Sequence, residues 1–344
     1  MIMARLLLAV ITITALSAAP FSFAADEKIG IFETIHESSV SYEETLAAVD
    51  AAIAASAMQL HGSHDIRVPE DVQKARIYVL TSPRYIDAAA SEAARTISAQ
   101  VLRLAVYTLG DEQRTYINMT NPVAHAMVFY AGSDNHDALL AAARDAAAEV
   151  RQIVSGLPGK ALGIQAEPVR SPKHLAKYKG DGPARMMAKF RTWESSQLQI
   201  LEDSADNFDA VLQRVVKALD TGQVGDASDA SGWETITTIR LRDDAVYIGL
   251  SNPFIEDKMV RINSRFRGDH KSEAAPYPGV DHVAALPTEV LVIREGNKTL
   301  VLQYGQMWRM QLYFWDSGYR AFTANVGVPG AIANSIEEAV KSAE

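Results

Sequence analysis

The chain has no cysteine among its 344 residues. That absence excludes Cys-ligated zinc, iron–sulfur clusters, c-type haem attachment and a thiolate nucleophile. It also leaves no disulfide to support the fold, so stability must come from core burial, which a chain this long provides. Basic residues are in the minority, with 33 Lys and Arg against 42 Asp and Glu and a formal net charge of −9. An acidic chain without a basic patch is a poor match to nucleic-acid phosphates, and no nucleic-acid partner is expected. Recognisable catalytic signatures are missing as well. There is no dinucleotide glycine fingerprint, P-loop, nucleophile elbow, His-Glu-x-x-His or calcium loop. With 48% hydrophobic and 22% charged residues, the chain is too apolar to be disordered.

What is present begins with an address. Arg5 precedes an apolar run from Leu6 to Leu16, and Ser22 and Ala24 place small residues before Ala25. Residues 1–24 therefore read as a secretory signal peptide, with the periplasm of a Gram-negative bacterium as the expected location. No later segment offers about 18 uninterrupted apolar residues, so no integral membrane span is expected after cleavage.

Periodicity divides the remainder into two α+β domains, 25–155 and 191–344, joined by a linker over 156–190 that is dense in Gly and Pro. The basic residues of the linker, Arg170 among them, read as solvated. In the first domain, Ser41-Tyr-Glu-Glu44 is a capping box opening a helix with Leu46, Val49 and Ile53 on one face. Strands are predicted at 28–36, 58–66, 76–80, 101–108 and 115–120, and helices over 85–98 and 136–154. The alternation in 101–108 predicts a half-buried strand. In the second domain, Asp206 caps a helix carrying Phe208, Val211 and Val215. Thr235–Leu241 and Ala245–Leu250 form a hairpin, and residues 266–287 read as a long loop. Strands are predicted at 288–293, 300–303, 309–315 and 319–324, with a closing helix over 329–342.

Thr115-Tyr-Ile-Asn-Met-Thr-Asn-Pro122 echoes Val246-Tyr-Ile-Gly-Leu-Ser-Asn-Pro253, which suggests a duplicated unit. The order of Ser41–Leu46, Arg76–Pro83, Val101–Thr108 and Tyr116–Pro122 resembles the bacterial and archaeal domain-of-unknown-function family 302. His282–Ile293 in the second half is similar to that family's strand entry. The resemblance implies two divergent tandem domains, each with helices packed on a mostly antiparallel sheet. It implies no catalytic residues. Thr120 departs from the family at an Asp-like position, and residues 254–281 have no counterpart in it.

Three sets of side chains carry candidate chemistry. Asp269-His270 and Asp281-His282 flank the Pro-rich loop, and an Asp beside an imidazole can orient a general base or a ligand. The segment Gln306–Trp315 concentrates Trp, Met, Tyr and Phe. As a strand it would turn Arg309, Tyr313 and Trp315 to a mixed polar and aromatic face suited to a small molecule or a protein interface. His61-Gly-Ser-His64-Asp65, read as an exposed loop, offers imidazoles to a metal, and the Met-Trp segment offers thioethers to copper. The expected function is a non-enzymatic periplasmic binding or accessory protein. Its candidate ligand residues are Arg309, Tyr313, Trp315, Asp281, His282 and His270, and its candidate metal residues are His61 and His64. The partner would be a small molecule or a periplasmic protein, and no cofactor is specified. The alternatives are an enzyme using a His/Asp pair in the 266–287 loop, and a copper carrier.

Overall fold

The computed structural model describes residues 28–110, 114–165, 170–172, 175, 193–220, 222–262 and 276–342. Residues 1–24, read above as a signal peptide, and His270 lie outside them. The first half runs β1 (Phe32–Ser38), α1 (Tyr42–Ala54), β2 (Gln59–Asp65), β3 (Ala75–Thr81), α2 (Pro83–Ala88), a 3₁₀ segment (Ala94–Gln100), β4 (Leu102–Leu109), β5 (Arg114–Thr120), α3 (Pro122–Phe129), α4 (His136–Ser155) and β6 (Gly159–Gln165). Its six strands are antiparallel in the order β2-β3-β4-β5-β1-β6. The expected capping box opens α1. The Ser41 hydroxyl accepts from the Glu44 amide, and the Glu44 carboxylate accepts from the Ser41 amide at 3.0 Å.

The second half runs β7 (Gln197–Ser204), α5 (Phe208–Leu219), β8 (Glu234–Arg242), β9 (Ala245–Ser251), α6 (Pro253–Val260), a 3₁₀ segment (Val280–Ala285), β10 (Thr288–Glu295), β11 (Lys298–Tyr304), α7 (Gln306–Phe314), α8 (Gly318–Ala324) and α9 (Val328–Lys341). Its antiparallel sheet has the order β7-β11-β10-β9-β8. That is the order β1-β5-β4-β3-β2 repeated strand for strand. The irregularities coincide too. Ile35 bulges from β1 and Ile200 from β7, each against the middle of the long hairpin strand beside it. His61 bulges from β2 and Ile236 from β8. A bulge is a specified feature of a strand, and these two pairs fall at matching registers.

Several sequence expectations need correction. Residues 159–165 are β6, a strand of the first sheet rather than linker, and Arg170 is buried rather than solvated. Gln306–Phe314 and Gly318–Ala324 are helices, not strands. The aromatic content favoured a strand, but Gln306, Arg309 and Tyr313, with Trp308 and Leu312, recur at helical spacing and are buried, as is Gln311. Residues 61–65 lie in β2, the strand expected over 58–66, and not in the exposed loop their polar sequence suggested. The helix expected over 85–98 divides into α2 and a 3₁₀ segment. β4 is buried along its whole length, not on one face only. Finally, the sequence echo pairs β5 with β9, which hold different places in the two sheets. The topological counterpart of β9 and Asn252-Pro253 is β3 and Ser82-Pro83. There the side chains of Ser82 and Asn252 accept from the amides of Tyr85 and Ile255.

β4 is buried on both faces because the halves exchange their 3₁₀ segments. Val280–Ala285 lies on β3, β4 and β5, while Ala94–Gln100 lies on β9 and β10. The Thr120 hydroxyl, at the end of β5, donates to the Ala284 carbonyl at 2.8 Å. The Tyr304 hydroxyl, at the end of β11, bonds Ser98 at 3.2 Å. Where β2 meets β8, Thr237 donates to the His61 carbonyl at 3.0 Å. A methyl group on Gly62 would stand 2.6 Å from the Ile236 carbonyl oxygen, so only glycine permits this approach.

Candidate functional site

At the centre of the contact between the halves lies a buried charged cluster. Arg103 of β4 and Glu289 of β10 occupy the same register in their two sheets, and their side chains, both fully buried, lie 3.4 Å apart. Arg309 of α7 approaches Glu289 at 2.8 Å and donates to the Ala285 and Pro287 carbonyls. Arg103 also donates to the Tyr313 hydroxyl at 2.9 Å, and that hydroxyl lies 3.0 Å from His125 Nε2. Burial first, then the two guanidinium groups, hold the His125 pKa well below its ordinary value. In the neutral tautomer protonated on Nδ1, His125 accepts from Tyr313, which in turn accepts from Arg103. A buried charge left alone is costly; here Arg103 of the first half is held by Glu289 and Tyr313 of the second, and Glu289 joins guanidinium groups from both halves.

The other expected residues belong to the same interior. His282 is fully buried, with Nε2 2.9 Å from Asp316 and Nδ1 3.5 Å from Asp281. Phe32 of β1 meets His282 edge-on and also touches Tyr313. The Asp281 carbonyl accepts from the Asn118 side chain across the two halves. Trp315 is half-buried beneath the Arg170 guanidinium, which also donates to the Gln311 and Leu312 carbonyls at the end of α7. Arg309 and Tyr313 thus meet in the charged cluster, while Asp281 and His282 pair beside it, linked to Tyr313 through Phe32.

His61 and His64 do not converge. His61 bonds Thr81 at 2.8 Å. His64 faces Glu256 at 2.7 Å and Glu234 at 3.3 Å, joined by Arg67, which pairs with both carboxylates. Glu256 is fully buried, and burial alone would raise its pKa. The His64, Ser251 and Arg67 contacts outweigh that and lower it. This group clasps β2 to α6 across the halves. Among the described residues no three His, Cys, Asp or Glu side chains form a group able to hold a metal ion.

Open space lies elsewhere. A crevice of about 50 Å³ runs between α6, α7 and α9, walled by Ile255, Met259, Met310, Phe314 and Ile332, with Arg309 at its base and Lys258 on one side. A smaller cavity of about 10 Å³ adjoins it past Met310 and Phe314. The matching region of the first half is shut. There α4 packs on both α2 and α3, and Tyr85 and Tyr130 fill the positions held by Ile255 and Phe314 in the second half. Burial and then the neighbouring Tyr130 raise the Tyr85 pKa, while burial pushes the Tyr130 hydroxyl up to about 12. In the second half α9 packs on α7, α5 and β7, and stands off from α6.

Sequence reasoning reached Arg309 but missed Arg103, Glu289, Glu256 and the crevice. A signal was there for the first two, since Arg103 is the one charge in β4 and Glu289 precedes the apolar run Val290–Ile293 of β10. Ile255, Met259 and Ile332 carry no signal that separates them from core residues, and their edges meet the crevice through the packing of α9.

Neither a family model nor a curated protein matches the chain. Among solved structures it is similar to the uncharacterized conserved protein of the domain-of-unknown-function family 302 from Bacillus stearothermophilus. The identity is 18% over 35% of this chain and 91% of that one, with a TM-score of 0.27.

Proposed function

We propose that this chain is an exported, non-enzymatic binding or accessory protein built from two related halves of the family-302 type. Its ligand is a small, largely apolar molecule received in the crevice between α6, α7 and α9. The repeated strand order and the matched bulges support the duplication. The leader-like residues 1–24 support export to the periplasm. The observation that carries the binding site is the contrast between the halves. One packs this region shut with Tyr85 and Tyr130, and the other keeps it open with Ile255 and Phe314. An apolar crevice with flexible Met lining is suited to a small apolar ligand.

The test is titration calorimetry of the full chain with 1-octanol. Ile255→Tyr places in the second half the ring that shuts the first. Wild type is expected to bind, and Ile255→Tyr to lose at least tenfold in affinity while keeping its melting temperature. Absence of binding to wild type, or equal binding by Ile255→Tyr, would remove the reading.

A further inference from the structure

The crevice and the smaller cavity beside it share walls but differ in one respect. Ile262, Met310, Phe314 and Asn325 border both spaces, whereas Ser317 borders the small cavity alone. Ser317 is 3% exposed, and its hydroxyl has no hydrogen-bond partner among the described residues. It stands just before α8, where a serine commonly caps the helix, yet it makes no cap bond. A buried hydroxyl without a partner is costly and uncommon. Asn325 donates its side-chain amide to the Ala321 carbonyl at 2.9 Å, which leaves its side-chain oxygen as an acceptor. The cavity measures about 10 Å³, room for about one water-sized group. Neither space has charge to spare. No carboxylate lines them, Arg309 is paired with Glu289 at 2.8 Å, and Lys258 lies 3.6 Å from Asp257.

We infer that the ligand is a neutral alkyl alcohol: its hydroxyl occupies the small cavity, accepting from Ser317 and donating to Asn325 Oδ1, and its alkyl chain lies in the crevice along Ile255, Met259 and Ile332. This deepens the reading of the crevice as the binding site and rests on it. A hydroxyl both accepts and donates, as this pair of neighbours requires. An alkyl halide of the same length fills the crevice and leaves Ser317 unpaired. Burial of successive methylenes supplies the affinity, and Ser317 supplies the choice of head group.

The experiment is calorimetry of the full chain with 1-octanol and 1-chlorooctane, on wild type and Ser317→Ala, with the melting temperature of each protein taken without ligand. Ser317→Ala is expected to weaken 1-octanol binding about three- to tenfold, the margin of one neutral hydrogen bond. It should leave 1-chlorooctane binding unchanged. The hydroxyl has no partner to lose, so the ligand-free variant should melt at or above the temperature of wild type. A clearly lower melting temperature would mean that Ser317 is already satisfied in the free protein, by a bound water, and would overturn the inference. Unaltered 1-octanol binding by Ser317→Ala, or an equal loss for both compounds, would overturn it as well. In each of these cases the crevice stands. If wild type binds neither compound, the alcohol inference and the crevice reading fall together.

Discussion

Residue by residue, the interior is held by charges that depend on one another. Glu289 is the counter-ion of both Arg103 and Arg309, and all three are buried. Glu289→Gln keeps the shape and removes the negative charge, leaving two guanidinium groups in the core. Chemical denaturation is expected to show a loss of about 3–5 kcal/mol, as when one member of a buried pair is removed. A loss below about 1 kcal/mol would mean that backbone carbonyls alone satisfy the two arginines. His125 adds a pH dependence. Its folded pKa lies well below that of the unfolded chain, so unfolding takes up a proton as the pH falls below about 6.5. Stability is full above that value and declines beneath it. His61, whose pKa burial also lowers, acts in the same direction. Urea midpoints measured from pH 7.5 to 5 should fall for wild type and fall less steeply for His125→Gln. An identical slope in the two proteins would assign the decline to other groups.

Among the elements, the turns that close strands into helices are the strictest. Asn121 and Asn252 each cap a helix that opens with proline, and each also donates its amide to a distant carbonyl, Gly30 for one and Ala230 for the other. Asn252→Ala removes the cap and leaves the Ala230 carbonyl one donor short. A loss of about 1–2 kcal/mol is expected, while Asn252→Asp, which keeps the cap, should recover part of it. Elements with strong local signals were legible in the sequence. The α1 capping box, the α4 periodicity and the hairpin strands all stand where the pattern puts them. The segment Gln306–Trp315 was not legible, because aromatic residues suit strands and its helical stripe is only two turns long. β6 escaped notice because Gly159 and Gly163 read as breakers, although the strand needs only the edge of β1 to pair with. The charged cluster could not be read as a unit, since Arg103, Glu289 and Arg309 lie on elements that meet only through packing between the halves.

The whole molecule joins two sheets of the same order through exchanged 3₁₀ segments, with unlike charges at like positions. Arg103 in one half answers Glu289 in the other, so each half is complementary to its partner and not to itself. The same asymmetry extends to the helices, where a region packed shut in the first half is open in the second. That contrast is the basis for reading the chain as a binding protein. It is tested most directly by NMR of the full chain labelled at its ten methionine methyl groups, titrated with 1-octanol. Met259 and Met310 line the crevice, whereas Met58, Met119 and Met127 lie in the first half. The account predicts saturable shifts at Met259 and Met310, with Met58, Met119 and Met127 unmoved. Shifts spread evenly over both halves, or none at the crevice pair, would contradict it.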